Sequence, residues 1–183
     1  MTSFRQFLAA ALVACTAGGM GAAQAADLTG QAVTLEWLFP NQGTVLAQQT
    51  IMVGAGAEIT CPGAGSICGA WGGTAVSYDF GPSSISFQAI DATAHAVRDF
   101  NGFRIGGLSG GGTWSGASVR GLAPSRLSFD GDVAVLDVGG LQLPAGSGWT
   151  IDLASAVPEV GTQGLLAGGL LLLAARRRRT HRN

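Results

Sequence analysis

Gly107-Leu108-Ser109-Gly110-Gly111 has the G-x-S-x-G spacing of a nucleophile elbow, the turn that lifts a serine hydroxyl clear of a sheet for acyl transfer. That chemistry needs a strand-to-helix turn at the serine and a histidine later in the chain to take its proton. His181, at the extreme C-terminus, is the one histidine that follows; His95 precedes the glycines, and no helical pattern comes after them. The stretch reads as a flexible hairpin loop. It is no phosphate cradle either, because the P-loop lysine is missing and the chain holds no lysine at all. No catalytic residue is assigned, and the chain is expected not to be an enzyme.

Asp130, Asp132 and Asp137 in DGDVAVLD have the oxygen chemistry of a calcium site, which wants six to eight ligands. In a strand from Val133 to Val138, however, Asp137 projects to the face opposite Val138, so a solvated hairpin tip accounts for the acids better. Cys61 and Cys68 in CPGAGSIC lack a histidine nearby and fall short of the four ligands of a structural zinc. A disulfide closed by the Pro-Gly-Ala-Gly-Ser spacer is expected, with neither metal nor other cofactor. Trp71 and Trp114, flanked by glycines in apparent loops, are the candidates for stacking on sugar rings, whereas Trp37 and Trp149 fit core positions.

The elements that carry these residues read as strands. Glycine supplies 30 of 183 residues and charged side chains only 11%, which favours short strands, tight turns and a neutral surface. AVTLEWL places Val33, Leu35 and Trp37 on one face. SISFQAI does the same with Ile85, Phe87 and Ala89, RLSFD with Leu127 and Phe129, and GWTIDL with Trp149, Ile151 and Leu153. PNQG, PGAG, WGG, GPSS, GGLSGGG, DGD and PAGSG punctuate the runs. Ala92 to Val97 could make a short helical turn. The expectation is an all-β chain with a single antiparallel β-sandwich or jelly-roll-like domain over residues 26–156. Between Ala26 and Val157, four arginines stand against ten acids, a net of minus six, which repels a phosphate backbone and speaks against nucleic acid as a partner.

The two ends carry addresses. Residues 1–25 combine Arg5, an apolar stretch from Phe7 to Ala17 and small residues at Ala23 and Ala25, the pattern of a secretory signal peptide cut by signal peptidase before Ala26. Leu12-Val13-Ala14-Cys15 also resembles a lipobox, though the apolar run before Cys15 is very short. At the other end, residues 157–183 run from Val157-Pro158-Glu159 through an apolar stretch of 12 residues, Gly164 to Ala175, to Arg176, Arg177, Arg178 and Arg179. A membrane span takes roughly 20 apolar residues. This one is marginal, and the arginines would hold its far end in the cytoplasm.

Residues 157–179 resemble the PEP-CTERM sorting signal of Gram-negative bacteria, in which a Val-Pro-Glu-Pro motif precedes a short transmembrane helix and an Arg-rich end. Val157, Pro158 and Glu159 match it, and Val160 stands where the second proline is expected. Phrases of the body, LFPNQGTV, VGAGAEI, DFNGFRI and SRLSFDGDVAVLDVGGLQLPAGSGWTIDL, are also similar to those of exported PEP-CTERM proteins. The resemblance implies processing by the membrane enzyme exosortase after transient residence in the inner membrane. The destination is the cell surface or extracellular matrix, as a structural or interaction protein associated with exopolysaccharide. The alternatives are a carbohydrate-binding surface module and a permanently tail-anchored envelope protein.

Overall fold

Alternation of apolar and polar residues sets the strands. In a computed structural model, which describes residues 25–156, β1 (Ala32–Leu38) buries Val33, Leu35 and Trp37, and β5 (Ser84–Ala89) buries Ile85, Phe87 and Ala89. The inward positions Trp149, Ile151 and Leu153 belong to the last strand, β12 (Gly148–Ser155). Between these lie β2 (Val45–Met52), β3 (Ile59–Cys61), β4 (Val76–Phe80), β6 (Thr93–Ala94), β7 (Gly102–Gly106), β8 (Trp114–Arg120), β9 (Leu127–Phe129), β10 (Ala134–Asp137) and β11 (Gln142–Leu143).

Two five-stranded antiparallel sheets result, in the orders β2-β1-β7-β10-β9 and β3-β4-β5-β12-β8, with β6 and β11 as a separate two-stranded pair. Their inner faces share one core, making a β-sandwich. Its centre is aromatic. Phe103 of the first sheet lies 5.7 Å from Tyr78 and 6.0 Å from Trp149 of the second, and Phe87 stacks on Trp149 at 5.4 Å. Offset and tilted ring pairs of this kind contribute about 0.5–1.5 kcal/mol each beyond the area they bury.

Two expectations change. Ala92 to Val97 makes no helical turn: Thr93 and His95 point inward on either side of exposed Ala94, and β6 pairs with β11 in the register Ala94 to Gln142. The helix that does form, α1 (Ser66–Trp71), buries Ile67, Cys68 and Trp71 and stops where Gly72 adopts a left-handed φ of 61°. It stands between β2 and β3, the edge strands of the two sheets. Cys68 is bonded to Cys61 at the end of β3, with the Cα atoms 5.1 Å apart.

Candidate functional site

The glycine tract Gly106–Gly112, with positive φ at Gly107 and Gly112, serves as a seat. β7 ends at Gly106, Gly107 turns the chain with φ 83°, and Leu108–Gly111 form one 3-10 turn anchored by buried Leu108. The first residues of the domain lie directly on it: the Asp27 N–H donates to Gly111 O at 2.7 Å. A Cβ on Gly111 would stand 2.6 Å from Asp27 O, so no side chain fits there. The last residues reach the same loop, the Ala156 N–H donating to Thr113 O at 3.0 Å and the Ser115 hydroxyl to Ala154 O at 3.1 Å. Both ends of the described chain thus meet at residues 111–115.

This loop joins β7 of one sheet to β8 of the other and is not a hairpin, which corrects the expectation for GGLSGGG. It lacks an elbow's machinery. Ser109 sits within the 3-10 turn, which leads into a strand and not a helix, and its N–H donates to Asp132 Oδ1 at 2.9 Å. Hydrogen bonding from the Ser109 side chain first, and from its backbone N–H second, holds the Asp132 carboxyl below its ordinary value. His95 is remote in character as well, 5% exposed and faced by the rings of Trp71, Trp37 and Phe103 at 5.6, 6.1 and 6.4 Å. Burial pushes its pKa down to about 4, leaving a neutral imidazole at pH 7.

The three acids are separately engaged. Asp130 Oδ1 accepts from the N–H groups of Asp132 at 3.1 Å and Val133 at 2.8 Å, closing the β9–β10 hairpin, and Asp137 Oδ1 accepts from Gly139 N–H at 2.8 Å. Among the described residues, no group of three or more His, Cys, Asp or Glu side chains converges as metal ligands would.

Trp71 and Trp114 are core residues, 8% and 5% exposed, which corrects their assignment to loops and to sugar stacking. Their glycine neighbours end or begin an element; they do not mark an open loop. Trp71 closes α1, packs 4.7 Å from Trp37 and 5.7 Å from Phe87, and donates from Nε1 to the Tyr78 hydroxyl at 3.3 Å. Trp114 opens β8 and donates to Leu108 O at 2.8 Å. Trp37 and Trp149 are buried as expected, Trp37 Nε1 donating to Asn101 Oδ1 at 3.0 Å. Asn101, unnoticed in sequence, passes the bond on to Ala96 O at 3.0 Å. An Asn between Phe100 and Gly102 was the available signal.

What the domain offers to solvent is chiefly polar. On the outer face of the second sheet the registers align Arg120, Thr150, Ser86 and Asp79 in one row and Gln88 with Ser77 in the next. Arg120 donates to both oxygens of Asp152, at 2.6 and 2.9 Å, and the Ser86 and Thr150 hydroxyls lie 3.1 Å apart. An open hollow of about 360 Å³ runs beside them, lined by Gln88, Gly121 and Ser147. Its hydroxyl, amide and guanidinium groups can exchange hydrogen bonds with a polyhydroxylated surface.

Among the described residues, no helix is long and apolar enough to cross a membrane. Cys15, Ala23, Val157, Pro158, Glu159 and Arg176 to Arg179 lie outside the described residues, whereas Ala25 and Ala26 open them. Comparison with protein-family models, with curated proteins and with solved structures finds no match to this chain.

Proposed function

We propose that this chain is the precursor of an exported, non-catalytic protein of the cell surface or extracellular polysaccharide matrix, processed at both ends. Signal peptidase removes residues 1–25. The apolar stretch Gly164–Ala175 rests in the inner membrane with Arg176 to Arg179 on the cytoplasmic side, and exosortase, reading Val157-Pro158-Glu159, releases the domain. The observation that carries this reading is the order of motif, short apolar stretch and arginine cluster, beginning two residues after β12 ends at Ser155. The jelly-roll-like wiring belongs to the same reading, supported by a chain that passes repeatedly from one sheet to the other.

Two features of the domain support it further. Its first and last residues meet at one loop, so both cuts fall at one end of the sandwich. The outer face of the second sheet supplies hydroxyls for contact with polysaccharide. Each such hydrogen bond replaces one to water and contributes little alone, so the contact gains strength from many copies side by side.

Replacing Pro158 and Glu159 with Ala should trap full-length protein in the inner membrane, and replacing Arg176 to Arg179 with Ser should let uncut precursor appear outside. Normal release of the domain by the Pro158 and Glu159 variant would refute the role given to that motif.

A further inference from the structure

Three of the five exposed large apolar side chains among the described residues, Val45, Leu46 and Met52, belong to β2. Among the described residues this strand is the edge of its sheet, paired to β1 alone, and its sequence VLAQQTIM holds no charge, no proline and no glycine. Edge strands ordinarily carry such residues, because an open row of N–H and C=O groups is a template for another strand. An uncharged, β-prone segment of this length is the composition that pairs with itself.

What stands over the edge is α1. The Ser66 hydroxyl donates to Gln48 O, occupying a backbone acceptor that an incoming strand would need. Gly65 lies so close to β2 that a Cβ there would be 2.2 Å from Gln49 Oε1. Yet α1 has six residues, no side-chain N-cap and no charge in its first or last turn to complement the helix dipole. A helix of that length does not persist by itself. It is held by Trp71 between the sheets and by the bond from Cys68 to Cys61.

We propose that β2 is a self-pairing edge and that α1, latched by the Cys61–Cys68 bond, is the guard that keeps it closed. With the latch open, β2 pairs antiparallel with β2 of a second copy of this chain. The second copy is the occupant because two identical edges related by a two-fold axis are their own complement, and because β2 carries no charge that would select a different strand. This inference does not depend on the sorting reading.

The test compares the full chain in neutral detergent with C61S/C68S and with C61S/C68S carrying Leu46→Lys, by native mass and amide hydrogen exchange. The tail is common to all three, so differences in mass belong to the domain. Leu46 is 52% exposed, and a lysine there charges the edge without entering the core. In C61S/C68S, protection of residues 66–71 should fall at least about tenfold and the mass should rise with concentration. Leu46→Lys should restore the wild-type mass while residues 66–71 stay unprotected. If loss of both sulfurs unfolds the domain, Gly65→Val with the bond intact serves instead, since a β-branched residue is strained at the φ of 111° from which α1 starts. An unguarded chain that keeps the wild-type mass at every concentration overturns the proposal. So does a rise in mass that Leu46→Lys leaves unchanged, or protection of α1 that persists in both variants.

Discussion

The Ser109 N–H donates to Asp132 Oδ1 at 2.9 Å, so the serine of the hydrolase-like motif and the middle acid of the calcium-like cluster hold each other. Two candidate chemistries are thereby one structural contact, which fixes the loop that carries both ends of the domain. Because the carboxyl is held below its ordinary value, its contribution is present above the ordinary carboxylate range and is lost as pH falls through the folded-state value. Asp132 is exposed, and solvent screening keeps the contribution under about 1 kcal/mol. Asp132→Ala should lower the unfolding midpoint slightly, and Ser109→Ala, which keeps the N–H and removes the hydroxyl, should lower it by no more than that. A larger loss from Ser109→Ala than from Asp132→Ala would show that the hydroxyl has a role beyond its contact with Asp132.

The glycine seat makes a sharper prediction. Gly111→Ala places a Cβ against Asp27 O, a backbone atom that cannot swing aside. We expect a loss of about 1–3 kcal/mol and faster hydrogen exchange at residues 26–28. Gly116→Ala, with nothing within 4 Å of the new Cβ, is the control and should be nearly silent.

Strand positions were legible where side chains alternate strictly, as in β1, β5 and β12, because a sheet with one buried face imposes that period. The glycine-flanked tryptophans were misread for a physical reason. Glycine marks the residue where backbone direction changes, and at Gly72 the change ends a helix whose last side chain is already inside. The spacing of Ile67 and Trp71, one helical turn apart, was the signal for α1, but six residues are too few to show a period. The seat at Gly111 could not be read at all, since it depends on residues 26–28, far away in sequence.

Trp71 bridges the sheets, so Trp71→Ala should cost about 3–5 kcal/mol in denaturant unfolding. Its effect on association with polysaccharide should track the loss of folded protein and nothing more. Binding that disappears while the domain remains folded would restore a direct sugar contact for Trp71.

His95 gives the domain a pH dependence. Its folded-state pKa of about 4 lies below the unfolded value near 6.5, so the unfolded chain takes up the proton first as pH falls. Stability should therefore decline from about pH 6.5 down to about pH 4, by about 3 kcal/mol in all. Urea midpoints measured across that range should show the decline in the native protein and a flatter curve in His95→Leu. Parallel curves would assign the effect to other groups.

The central claim is that the C-terminal signal is a removable address. The mass of the exported protein in its native host, compared with the same strain lacking exosortase, tests it most directly. We predict a species running from Ala26 to roughly residue 157 in the first strain and a membrane-held chain intact through Asn183 in the second. An intact tail through Asn183 in both strains would contradict the account and leave a permanent tail anchor in its place.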